Sequence, residues 1–376
     1  MYLFYITIAF LIAFLLELII IPRVLVISYK KKLFDEPDER KQHGDSTPRL
    51  GGITFLPIIL FALCITITIS LYIDPSMSIM EIEDIGYKKL FTEFASLFSC
   101  LVLLYFVGIM DDLVGVRYRT KFAVQILCGI ILVFSGVWIN DFNGLLGFNE
   151  ISKWVGYPLT VLLVVYILNS INLIDGIDGL ASGLSIIAFA VLTYCYSLKG
   201  YLLFSLLSIA ALGCLLPFFH FNVFGRGQIR KRKIFMGDTG SLAIGMILAY
   251  LLIRYTMANP CDINKPPAHP NPLIIFSVIL VPCLDVLNVI IYRIRKGNNP
   301  FKPDRNHLHH KLMRLGLSPR QALINILIMS VFFITLNFIL VRFMQIKWIF
   351  SIDIVTYILF HLWLDYKLKK KETRNN

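Results

Sequence analysis

Eleven long apolar runs divide the chain, near residues 2–22, 51–73, 93–110, 121–139, 156–170, 180–197, 201–220, 239–257, 272–292, 321–342 and 347–365. A hydrocarbon core of ~30 Å is crossed by roughly 20 apolar residues in a helix, so each run predicts a membrane-spanning α-helix. The fifth run is short. Only Leu198 to Gly200 separates the sixth from the seventh, which predicts a helical hairpin. The first run lacks the basic flank and small-residue cleavage site of a signal peptide, and is read as a retained span. The pattern is that of an all-α, polytopic integral membrane protein, one domain over residues 1–376 with a basic tail at 366–376.

The polar segments between the runs hold the unusual residues. Between the fifth and sixth lies NSINLIDGIDGL, where Asn169, Asn172, Asp175 and Asp178 recur every third residue. A polar turn between two buried helices explains one or two such residues; four at fixed spacing call for more. Gly176 and Gly179 make a regular helix unfavourable through the second half. The first half is therefore predicted to end the fifth helix, and the second to form an irregular turn. Other segments carry DEPDERKQHGDSTPRLGG (Asp35 to Gly52), the pair Asp111-Asp112 followed by Lys121, FGRGQIRKRKIFMGDTGS ending near Asp238, and RIRKGNNPFKPDRNHLHHKL.

Composition agrees with the membrane reading. Of 376 residues, 57% are hydrophobic and 16% charged, against 45–50% and about a quarter in soluble domains. The formal charge of +12 reports topology and anionic lipid before any acidic ligand, and nothing suggests nucleic acid. The segments after the odd-numbered runs, with the tail, hold 28 of the 36 lysines and arginines. That asymmetry predicts a cytosolic face for them, an outside N-terminus and a cytosolic C-terminus. Seven cysteines show neither a CxxC pair nor a framework spacing, so no disulfide or Cys-based zinc site is expected. Glu17 and Asp285 lie inside apolar runs, near their predicted cytosolic ends, and snorkelling to the interface is the expected solution.

Asp111, Asp112, Asp175, Asp178 and Asp238 all fall at predicted cytosolic helix ends. Two unit charges 4 Å apart repel by about 4 kcal/mol at an effective dielectric of ~20, so such acids need protons or a cation. With Asn side chains added and no thiol, the donors are all oxygen, which suits Mg²⁺, or Mn²⁺. Lys121, Arg305, His307, His309 and His310 supply positive charge and donors for phosphate. An Asp pair after a span is ordinarily a solvated helix end, the basic run at 226–233 ordinarily topological, and Gly51-Gly52 ordinarily a close-packing device. His-x-His-His lacks the Cys or Glu partner of a zinc site. Acids for a metal and cations for phosphate, beside a bilayer, predict phosphoryl transfer to or from a lipid.

From about Asp35 to Leu317 the chain resembles the polyprenyl-phosphate N-acetylhexosamine-1-phosphate transferases. The resemblance rests on RKQH…PRLGG (40–52, with His43), Asp111-Asp112, NSINLIDGIDGL, FMGDTGSL (235–242) and Asp285…Arg293…Gly297…PFKPDRNHLHH. The last motif looks like the bacterial branch that starts O-antigen, enterobacterial common antigen or wall teichoic acid, and unlike the muramoyl-pentapeptide branch. The resemblance implies transfer of GlcNAc-1-phosphate from UDP-GlcNAc to undecaprenyl phosphate with release of UMP, at the bacterial inner membrane. It implies Asp238 and Asn172 as Mg²⁺ ligands, with Asp238 also catalytic, and Asp111 or Asp112 acting on the lipid phosphate. Phe235 would stack on uracil, Asp178 recognise it, and Asp175 serve the nucleotide. Lys121 would contact phosphate, while Arg305, His307, His309 and His310 would clamp sugar and pyrophosphate. Asn169 and His43 belong to the motifs without an assigned role. Another UDP-N-acetylhexosamine donor and a homodimeric assembly stay open on sequence alone. A secondary transporter would place its polar groups near the midplane of repeated halves, and no repeat is visible. The CDP-alcohol phosphotransferases carry an Ala-Arg pair after DG, absent from DGIDGLASG.

Overall fold

The apolar runs fold as helices because a lipid-embedded backbone must satisfy its own hydrogen bonds. The structure, a computed structural model, describes residues 2–31, 33, 47–74, 85–142, 144–145, 150–225, 233–257, 272–297, 299 and 306–375. In chain order the helices are α1 (Tyr2–Lys31), α2 (Phe55–Ile73), α3 (Tyr87–Val114), α4 (Tyr118–Phe134), α5 (Lys153–Ile174), α6 (Leu180–Leu198), α7 (Leu202–Phe224), α8 (Gly237–Met257), α9 (Leu280–Arg295), α10 (Leu308–Arg314), α11 (Pro319–Leu340) and α12 (Ile346–Asn375). Short 3₁₀ turns at Gly51–Thr54 and Pro272–Ile279 lead into α2 and α9. No β-strand forms among the described residues.

Among the described residues, ten helices are long and apolar enough to cross a membrane, one fewer than the eleven runs. The difference is α4, whose 17 residues reach about 26 Å. Its neighbours nevertheless require it to traverse. Asp111 at the end of α3, Lys121 at the start of α4 and Asn172 at the end of α5 meet at one site through Asp238. The far end of α4 leads to Trp138, whose N–H donates to Met257 Sδ at the opposite end of α8. The fifth span is not short: α5 has 22 residues and continues to Ile174. Helix α12 runs on through the basic tail to Asn375.

Helix α8 is the axis of the bundle. Every residue from Thr239 to Thr256 is buried, the mark of a helix apolar on all sides because protein surrounds it. Helices α3 and α5 flank it most closely. Gly108 of α3 permits this, since a Cβ there would land inside contact distance of Thr239 Cα. At the other end of the bundle, Arg254 Nε pairs with the buried Glu93 at 2.8 Å. Glu17 does not snorkel. Fully buried, it accepts from Thr54 Oγ1 at 2.7 Å and from Cys214 Sγ at 3.3 Å. Its carboxyl thereby ties α1 and α7 to the turn that leads into α2.

Candidate active site

Five elements bring their polar ends together at one end of the bundle. Helix α3 ends in Asp111 and Asp112, whose carboxylates do different work. Both oxygens of Asp112 accept from the start of α8: Asp238 N at 2.8 Å, Thr239 N at 3.0 Å and Thr239 Oγ1 at 2.6 Å. A carboxylate there satisfies N–H groups that the helix leaves unpaired and complements its dipole. Gly237, at φ +69°, makes the tight approach, and a Cβ would strike Arg49 O and the Asp112 carboxylate. Asp111 instead accepts from Val116 N at 2.7 Å and holds Lys121 Nζ at 2.6 Å.

Lys121 Nζ also bonds Asp238, so one ammonium bridges two acids from different helices. Asn172 completes the group, its amide donating to Asp238 Oδ1 at 3.0 Å and Ser241 Oγ at 2.8 Å. Oxygens of Asp111, Asp112 and Asp238 all lie within 4.8 Å of one another. Asn169 sits one turn back on α5 and donates to Gln125 Oε1 at 2.6 Å. It is a strut between α5 and α4, away from the cluster.

After Ile174 the chain turns through residues 175–179 and enters α6 at Gly179. Asp175 is exposed at this turn. Desolvation by the surrounding protein, then the charges of Asp178, Asp238 and Asp112, raise its carboxyl to about 7. Asp178 pairs with Lys233 Nζ at 2.7 Å, and the same ammonium lies 4.7 Å from the Phe235 ring centre. Phe235 lies between helices outside any regular element, its N–H donating to Pro48 O at 2.8 Å and its carbonyl accepting from Gly51 N at 3.0 Å. Gly51-Gly52 thus serves to pack a loop against this segment and α8, where side chains would collide. Asn222 of α7 joins the two segments: it accepts from Gly179 N at 2.5 Å and donates to Ile234 O at 2.7 Å.

The histidine motif closes the other flank. His309 is buried on α10 with its ring against Gly176, where any Cβ would overlap it. Burial, then the charge of His310, lowers its pKa to about 3, so the ring is neutral at physiological pH. Its two nitrogens have no hydrogen-bond partner among the described residues. His310 is half-buried beside it, with ring centres 4.2 Å apart. His307 bonds Asp285 at 2.8 Å, which also corrects the expectation that Asp285 snorkels: it is fully buried. His43 and Arg305 lie outside the described residues.

Three residues escaped the sequence reading. Lys233 sits two places before Phe235 in the same motif, and its ammonium lies against that ring. Asn222 and Gly108 gave no signal, because their partners lie on other elements distant in sequence.

Among the described residues, the facing carboxylates Asp111, Asp112, Asp175, Asp178 and Asp238 outnumber Lys121 and Lys233, the ammonium groups that pair with them. An all-oxygen set with surplus negative charge fits a hard divalent cation. Fold and site define a multi-pass membrane protein with a cluster of acids, Asp111, Asp112 and Asp238, at one end of its helices. Residues 94–256 match the model of glycosyl transferase family 4. A Yersinia pestis undecaprenyl-phosphate alpha-N-acetylglucosaminyl 1-phosphate transferase is 31% identical, over 79% of this chain and 74% of that protein. The protein of that name in Escherichia coli is 30% identical over the same shares. A Bacillus subtilis protein named a probable undecaprenyl-phosphate N-acetylglucosaminyl 1-phosphate transferase is 32% identical, over 87% of this chain and 83% of its own. The chain belongs to glycosyl transferase family 4.

Proposed function

We propose that this protein transfers GlcNAc-1-phosphate from UDP-GlcNAc to undecaprenyl phosphate at the cytosolic face of a bacterial inner membrane, releasing UMP. The observation that carries this reading is the Asp111–Lys121–Asp238–Asn172 cluster, assembled from α3, α4, α8 and α5 at one end of the bundle. The names of the relatives supply the lipid and the sugar. The product would open a surface-polysaccharide or teichoic acid pathway.

An oxygen of the lipid phosphate attacks the sugar-bearing phosphorus of the nucleotide sugar. One phosphoanhydride bond forms as another breaks, and UMP leaves with the electron pair. Such a transfer needs positioning and charge neutralisation more than covalent help. Asp238, Asp111 and Asn172 would hold Mg²⁺, or Mn²⁺, which supplies charge neutralisation at the pyrophosphate oxygens. Asp111 orients the lipid phosphate, because the oxygens of Asp112 are engaged in capping α8. Lys121 gives the incoming phosphate the charge it now shares between two acids. Phe235 stacks on uracil, and Asp178 and Lys233 bound the same pocket beside Asp175. Neutral His309 offers one donor and one acceptor to the sugar, while His307, His310 and Arg305 meet phosphate.

Purified protein should release UMP from UDP-GlcNAc only when polyprenyl phosphate and a divalent cation are both present. Release without lipid, or none with folded protein, sinks the reading. Asp238→Ala should cut turnover by about 100–1,000-fold, the scale of a lost transition-state electrostatic contact, with membrane insertion intact. Running the assay with other UDP-N-acetylhexosamines decides the donor.

A further inference from the structure

Asp285 is fully buried on α9, within an apolar run where an unsupported charge costs at least ~2.5–3.5 kcal/mol. Both of its oxygens are engaged by one neighbouring segment. Oδ2 meets His307 Nδ1 at 2.8 Å, and Oδ1 accepts from Leu308 N at 2.8 Å. A membrane helix thereby grips the chain where it enters α10. The His307 ring stacks on His309, with centres 5.9 Å apart and planes 12° from parallel. His309 in turn presses on Gly176, next to Asp175. A continuous path of contact therefore runs from Asp285 to the turn of the nucleotide end.

We propose that Asp285 is the positioning residue that sets the orientation and tautomer of His307. The proposal rests on the reading of His307 as a phosphate-facing group. A carboxylate at Nδ1 keeps a proton there, fixes the ring plane and leaves Nε2 to meet substrate. A simple helix cap would need only the Leu308 contact. The second bond, to His307, is what marks a role beyond capping.

Asp285→Asn separates the two roles. The amide oxygen still accepts from Leu308 N, but its NH₂ donates toward His307 Nδ1 and so enforces the opposite tautomer. We expect kcat/KM for UDP-GlcNAc to fall by about 10–100-fold, as when an outer partner of a working histidine is lost. The Kd for UMP should stay within about twofold, because the base pocket lies on other elements. In a His307→Gln background the same substitution should add little. Wild-type kcat/KM in Asp285→Asn, an equal loss of UMP binding, or multiplicative effects in the double variant would each overturn the proposal. Ring ¹⁵N resonances of His307, assigned with His307→Gln, read the tautomer without any turnover. Protonated Nδ1 in the wild type and its loss in Asp285→Asn support positioning even if the transferase reading fails; the same tautomer in both overturns it.

Discussion

Asp111 and Asp112 are adjacent in sequence and part company in function. One grips Lys121, and the other satisfies the opening N–H groups of α8. Neighbours on a helix point about 100° apart, so a pair of acids cannot serve one ligand in the same way. Lys233 shows the reverse case, a residue dismissed with its basic surroundings that bonds Asp178 and covers Phe235. Lys233→Ala should raise KM for UDP-GlcNAc by about tenfold and leave kcat nearly unchanged. A charge-assisted bond is worth about 1.5–3 kcal/mol, and the base lies far from the reacting phosphorus, so the loss is of uniform binding. Steady-state kinetics check it: a kcat drop with unchanged KM would remove Lys233 from the base pocket.

Among the elements, α8 and α3 matter most, because their closeness sets the spacing of the acids. Gly108→Ala would force a methyl group against Thr239 and push the two helices apart. We expect about 1–3 kcal/mol of lost stability, the usual cost of overpacking. Activity should fall further than stability alone explains, since Asp111 and Asp238 would separate. Thermal melting alongside turnover checks this; a normal rate at normal Tm would show that the helices have room. Helix α10 is steadied from the opposite side as well. Lys311 bonds Asp365 of α12 at 2.8 Å, and Lys371 reaches Arg314 O at 3.0 Å. The C-terminal helix thus braces the histidines that α9 grips through Asp285.

For the whole molecule, the open quantity is orientation. The basic residues of the site-bearing loops predict that this end faces the cytosol. In protein with all native cysteines replaced, Arg119→Cys and Lys153→Cys lie at opposite ends of the bundle, and both positions are exposed. A membrane-impermeant maleimide added to right-side-out vesicles should label Lys153→Cys and spare Arg119→Cys. The opposite pattern would invert the topology and remove the site from the supply of nucleotide sugar.

Much of this protein is legible from its sequence. Hydrophobic runs of membrane length report spans because lipid leaves the backbone one local solution. Only α4 fell short by length, and it needed its neighbours to show that it crosses. The end of α5 and the turn after it were also readable, since Asn, Asp and Gly act locally on the backbone. Side-chain partners were not. Asp285 and Glu17 resembled charges near an interface, and sequence carries no sign that His307 or Thr54 lies within 3 Å. Which acid caps and which binds, and that Asn222 couples two motifs, depend on contacts across more than a hundred or several dozen residues. Periodicity speaks for the membrane; pairing between distant helices is decided only when they pack.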